Sequence, residues 1–198
     1  MKKYKYKRIL LIGNVVLILG LSLILNHTQK INHQLQNIIN EQQILVTEQI
    51  LTISSLLQIV NKSIKFNAPG QAYESISRWS RAFNLDLDFM LALGKHESNF
   101  YQWKQGRNKE VGIMQVKLIA AQDIISDITE GELWEIDTNI MIGCNYFRML
   151  LDRYNGDYRL AATAYNRGPG SVDLAIRRGN DPTNGYYSRV AAIARFSQ

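Results

Sequence analysis

Apolar residues run almost without interruption from residue 9 to 25, broken only by Gly13, Asn14, Gly20 and Ser22. As a helix, this stretch would span roughly 26 Å, enough for a thin bilayer core. Over residues 27–66 the pattern changes: Ile31, Leu35, Ile38, Leu45, Leu56 and Ile59 recur at alternating spacings of four and three, interrupted by Gln42, Gln49 and Thr52. That spacing predicts a helical stalk with a softened apolar seam. It suits self-association or an envelope-complex partner, and equally a lone helix packing on the domain that follows. Asn67-Ala68-Pro69-Gly70 is the first strong break. Beyond it, helical periodicity recurs in short blocks, predicting helices over 72–83, 87–97, 115–125, 139–154, 158–166 and 186–196. Capping candidates precede three of them: Asp86 or Asp88, Asp137 or Thr138, and Asp157. Sustained alternation is nearly absent, so any sheet is small, and the polar residues 100–111 are its expected seat. The expectation is a mainly α fold in three parts: a basic terminus and transmembrane segment (1–26), a stalk (27–70) and a helical domain (71–198).

Charge refines this picture. Lys2, Lys3, Lys5, Lys7 and Arg8 supply five of the six net positive charges, leaving about +1 for the rest of the chain. A nucleic-acid binder would carry its basic residues on the folded domain, so that class is disfavoured. The basic cluster before an apolar run instead predicts a single-pass anchor with everything after Leu25 outside the cytoplasm. A cleaved signal peptide has the same order, but Asn26-His27-Thr28-Gln29-Lys30 offers no small-x-small cleavage site, so an uncleaved signal anchor is expected. One cysteine, Cys144, excludes an intramolecular disulfide and a cysteine-based metal cluster. In its apolar stretch it reads as a small buried residue.

Three short motifs carry candidate chemistry. Glu97 follows the apolar residues 87–93 and ends their helix, in Gly94-Lys95-His96-Glu97-Ser98-Asn99-Phe100. A carboxyl there faces the negative end of the helix dipole beside desolvating neighbours, and both raise its pKa as a general acid requires. Ser98 can donate a hydrogen bond to orient it. Gly112-Ile113-Met114-Gln115 combines a glycine that permits close approach, an adaptable apolar wall and an amide with donor and acceptor. Ala164-Tyr165-Asn166-Arg167-Gly168-Pro169-Gly170 ends a helix sharply and can present Asn166 to a cleft. Taken singly, each has a plainer reading: a solvated helix-end charge, a helix start with a core methionine, and a C-cap.

In this order and spacing, the three resemble the soluble lytic transglycosylase (SLT) domain family across roughly residues 72–196. Asp137, Asn139, Ile140, Gly143, Tyr146, Tyr186 and Val190 add to the match. The resemblance implies a mainly helical, goose-type-lysozyme-like fold with a groove for peptidoglycan glycan strands. Glu97 would be the catalytic acid/base and Ser98 its hydrogen-bonding neighbour. Gly112, Met114 and Gln115 would line the groove, Asn166 would contact the reacting sugar with Tyr165 supporting it, and Tyr186 would approach Glu97. No metal or cofactor is implied. The departures are Ile113 where leucine is usual, Arg167 where a small residue is common, and Lys95-His96 before the glutamate. A lysozyme-type hydrolase on the same fold would need a second carboxylate, for which Glu110 and Asp137 are the residues in range. A non-catalytic wall-binding subunit is the alternative of another class, against which an intact Glu97 argues.

Overall fold

The structure, a computed structural model, describes residues 2–195, with side chains from residue 11 onward except Ile12. The side chains of the basic cluster Lys2–Arg8 lie outside the described residues, as does Phe196, the expected end of the last helix. The segments expected as anchor and stalk form one continuous helix, α1 (Lys2–Phe66). The stalk sequence has neither proline nor glycine to interrupt it, and the Thr28, Thr47 and Thr52 hydroxyls donate back to carbonyls four residues earlier. The chain divides into two compact units, residues 1–58 and residues 59–198. In the first, apolar side chains such as Leu17, Leu23, Leu35 and Leu45 are exposed, and the helix is long and apolar enough to cross a membrane.

The second unit begins within the last two turns of α1. Phe66 is fully buried there, and Lys62 and Lys65 pair with Asp88. Asn67 takes a left-handed conformation that stops α1, and α2 (Gly70–Ala82) starts directly after Pro69. Then follow α3 (Leu87–Ser98), α4 (Leu118–Gln122), α5 (Glu130–Leu133), α6 (Ile136–Arg153), α7 (Tyr158–Arg167), α8 (Pro169–Arg177) and α9 (Tyr186–Ala194). Helix α3 is the hub. Asp86 caps it by accepting from the Phe89 N–H, and Phe89 through Gly94 are buried. It packs on α2 and α9, while α6 packs on α2 and α7. The rings of Phe147 and Tyr158 stand 5.3 and 5.0 Å from that of Phe89 and join three helices in one core. Cys144 is buried, and burial pushes its thiol up to about 12, which keeps it an inert core group.

Several local expectations change. Residues 100–111 form no strand, only isolated bridges from Val111 to Gln105 and to Val116. Left-handed Lys109, Gly112 and Gln115 interrupt any extended ladder. The helix expected from residue 115 begins instead at Leu118, because Val116 is committed to the bridge with Val111. Helix α6 starts earlier than expected, with Glu135 as its N-cap rather than Asp137 or Thr138. Two short helices were not legible as periodicity. One, α5, is set by a Thr129–Glu132 capping box, and α8 starts on Pro169 at its first position.

Candidate active site

The end of α3 and the turn at 112–115 are tied together before any ligand is considered. Ser98, expected to orient Glu97, donates instead to the Ile113 carbonyl at 2.8 Å and to Gly94 four residues back at 3.2 Å. A serine at a helix end readily turns back on its own helix, and here it staples α3 to the turn. From the other side, fully buried Asn139 of α6 donates to the Val111 and Leu133 carbonyls at 2.9 Å each. Its Oδ1 accepts from the Met114 N–H at 2.8 Å. Gly112, with φ +77°, lies so close to Asn139 that a Cβ would fall 2.3 Å from Nδ2. Conformation and space both demand glycine at this position. Met114 is fully buried against Gly143, where a Cβ would meet the Met114 Cβ at 2.6 Å. Its carbonyl accepts from the Tyr165 hydroxyl at 2.8 Å.

On this scaffold lies a cavity of about 710 Å³, lined among others by Glu97, Lys104, Glu110, Gln115, Tyr165 and Asn166. That size is suited to sugar rings rather than to an ion. Four of the sequence-predicted residues therefore share one wall: Glu97, Gln115, Tyr165 and Asn166. The other four stand behind it, where Ser98, Gly112 and Met114 hold the wall in place and Tyr186 touches Glu97. Gln115, left-handed at φ 49°, donates to the Lys104 and Gly112 carbonyls at 2.9 Å each and braces the loop. Asn166 is exposed on the rim, its Oδ1 accepting from Asn184 at 2.9 Å.

Glu97 is half-buried in the last turn of α3, and the helix stops at left-handed Asn99. Burial raises its pKa, and the negative charge of Glu110 adds to the rise. The Tyr186 hydroxyl, which donates to Oε1, and the Lys104 ammonium act the other way. Lys104 itself donates to the Glu97 main-chain carbonyl and so neutralises the exposed helix end. Tyr186 is buried and faces Glu97, so its own pKa lies well above the usual phenol value and it remains a donor. His96, stacked edge-on to Tyr186 at 5.0 Å, has its pKa lowered by burial and by Arg189 and Lys104, which leaves it neutral at pH 7.

Of the two rival second carboxylates, Asp137 does not line the cavity. It is engaged by Ser75 at 2.6 Å, Trp79 Nε1 at 3.0 Å and Arg78 at 3.2 Å, and joins α6 to α2. Glu110 does line it. Sequence reasoning passed over Lys104 and Asn184. Both lie in irregular loops, where neither periodicity nor motif marks a residue.

The helical domain has a lysozyme-like fold, and a carboxyl held toward its neutral form lies at a helix end in the wall of its groove. The sequence profile of the Transglycosylase SLT domain matches residues 74–186, and the chain belongs to that family. A soluble lytic murein transglycosylase of Salmonella typhimurium is 26% identical over 108 residues, covering 51% of this chain and 17% of that protein. The 70-kDa soluble lytic transglycosylase of Escherichia coli superposes with a TM-score of 0.55 at 20% identity, over 61% of this chain and 23% of that one. An inactive mutant of the lytic transglycosylase Slt of Pseudomonas aeruginosa gives 0.54 at 21%, with the same coverage. These two share the fold. The chain spans less than a quarter of the length of each of the three relatives.

Proposed function

We propose that this protein is a peptidoglycan lytic transglycosylase that cleaves the β-1,4 bond between MurNAc and GlcNAc, with Glu97 as its single acid/base. The observation that carries the reading is the Glu97 carboxyl, half-buried in a sugar-sized cavity and held toward its neutral form. Protonated Glu97 donates its proton to the glycosidic oxygen as the C1–O bond breaks. Positive charge develops at C1, helped by the N-acetyl group of the substrate. The Glu97 carboxylate then takes the proton of the C6 hydroxyl as that oxygen bonds to C1, which closes a 1,6-anhydro ring and restores the acid. Water is not consumed, and no cofactor enters the scheme. Closure is intramolecular, which favours it over attack by water. Tyr186 orients the carboxyl, Gln115 and Asn166 supply hydrogen bonds to the sugars, and Tyr165, Ser98, Gly112 and Met114 hold the wall that presents them.

The exposed apolar helix and the basic terminus support a single-pass anchor in the cytoplasmic membrane, with the catalytic domain outside, on the cell wall. In this reading residues 1–26 anchor, residues 27–70 form the stalk and residues 71–198 carry the catalysis. The exposed seam at Ile31, Leu35 and Ile38 is the surface for self-association or an envelope partner.

The test is digestion of purified peptidoglycan by the detergent-solubilised full chain, read by mass spectrometry. The expected product is a 1,6-anhydro end, lighter by one water than a reducing end. Glu97→Gln should lower its yield by about 10²–10⁴-fold, the worth of a general acid/base. Glu110 on the cavity wall favours one second reading, a hydrolase in which it activates water. Reducing ends in place of anhydro ends would establish that reading, and an active Glu97→Gln variant would refute both.

A further inference from the structure

Glu110 faces the same cavity as Glu97 yet has no part in the transglycosylase scheme, and its setting is built for a carboxylate. The Asn108 backbone N–H donates to Oε2 at 3.0 Å and the Asn108 side-chain amide to Oε1 at 3.1 Å. The Lys117 ammonium stands 3.4 Å from Oε1, and the Glu110 side chain is only 19% exposed. Space for the group comes from Gly106, where a Cβ would lie 2.3 Å from Oε2. The loop is pinned at both ends of this nest. The Gly106 N–H donates to the Glu110 carbonyl at 2.7 Å, and the Gly112 N–H to the Lys104 carbonyl at 2.9 Å. Both carboxylate oxygens thus face donors. A carboxylate so occupied is a poor base and nucleophile, but a persistent negative charge.

We infer that Glu110 is a positioning residue for Glu97, a fixed anion in the shared cavity wall that adds to burial in favouring the acid form of the Glu97 carboxyl until substrate arrives. The inference rests on the proposed role of Glu97 as acid. Two carboxyls on one partly desolvated cavity do not both ionise readily, and the one held by hydrogen-bond donors takes the charge. Burial opposes ionisation of Glu110, but its own backbone N–H, Asn108 and Lys117 overcome it and hold the pKa below the usual value. Glu97 lacks such a nest and goes the other way. The charged and titratable groups around it are Tyr186 on α9, Tyr165 on α7, Lys104 and Glu110 on the loop, and His96 on α3 itself; Arg189 reaches His96 and Tyr186. Burial is the main force against the Glu97 carboxylate; Tyr186 and Lys104 favour it, and Glu110 is the nearby charge that adds to burial.

The experiment compares wild type, Glu110→Gln, Glu110→Ala and Glu110→Asp as full chains in detergent, each checked for helical content by circular dichroism. The pH profile of anhydro-product release is measured for each. Loss of the charge in Glu110→Gln should move the alkaline limb to lower pH and lower the rate above that limb. Glu110→Ala should do the same without an amide to form new bonds, and Glu110→Asp should keep the limb near its wild-type position. A limb that stays in place in both neutral variants overturns the inference, since a purely structural role would lower the plateau alone. A carbon-13 NMR titration of the Glu97 carboxyl, assigned with Glu97→Gln, reads the same coupling without turnover. If the midpoint falls in Glu110→Gln, the coupling stands even where no anhydro product forms, and the proposed function alone fails. If wild type forms anhydro ends through Glu97 but the midpoint is unmoved, Glu110 alone is dismissed.

Discussion

Glu97 owes its character to opposing neighbours. Burial and the Glu110 charge favour the acid, while Tyr186 and Lys104 favour the carboxylate. The neighbours can therefore be told apart by the direction in which each moves the alkaline limb. Tyr186→Phe removes a hydrogen bond that favours the charged form, so the limb should move to higher pH, opposite to Glu110→Gln. The plateau should also fall by about tenfold, since the orienting bond is gone. The same balance costs stability. With its pKa raised above the unfolded value, folded Glu97 binds more protons than unfolded Glu97 across the window between the two. Stability therefore falls as pH rises through that window. Glu97→Gln should melt higher than wild type at neutral pH, and the gap should close toward pH 4; calorimetry in detergent at both pH values checks this. No gap at neutral pH would mean that the carboxyl is not held against ionisation.

At the level of elements, the site is a turn clamped between two helices. Ser98 of α3 and Asn139 of α6 hold residues 112–115 from opposite sides. Asn139→Ala strands the buried Met114 N–H and the Leu133 carbonyl and takes one of two partners from the Val111 carbonyl, which keeps the Val116 N–H; it should cost about 2 kcal/mol or more, each orphaned group being worth roughly 1–3. Gly143→Ala drives a methyl group into Met114 and should cost about 1–3 kcal/mol by overpacking. Denaturant titration measures both, and activity should fall with them because the wall carrying Gln115 moves. Sequence spacing alone started a helix at residue 115, directly after this segment. The chain could not reveal otherwise, because the left-handed Gln115 is imposed by the bridge between Val111 and Val116 and by Asn139, which lies beyond any local window.

For the whole molecule, the compact unit reaches back to residue 59. The proline–glycine pair at 69–70 marks where α2 starts, whereas Phe66, Lys62 and Lys65 before it already belong to the packed domain. A soluble fragment starting at residue 59 should thus be the more stable one. A fragment starting at 67 loses Phe66 and should be weaker by about 3–5 kcal/mol, the cost of deleting a buried phenylalanine. Equal melting of the two fragments would show that the last turns of α1 add nothing.

The sequence by itself determined what depends on short range. Helical periodicity, the caps Asp86 and Asp157, the apolar run and each of the three short motifs are written within windows of a few turns, and the order of those motifs along the chain marks the SLT family. They were enough for a mainly α domain and for Glu97 as a candidate. Only the tertiary structure decided which groups share the cavity. Ser98 turns to the backbone instead of to Glu97, Lys104 comes to the Glu97 carbonyl, and of two rival carboxylates Glu110 enters the wall while Asp137 is spent on α2. The reason is physical: a carboxyl's charge state follows from burial and from which charges are near, and both are properties of packing.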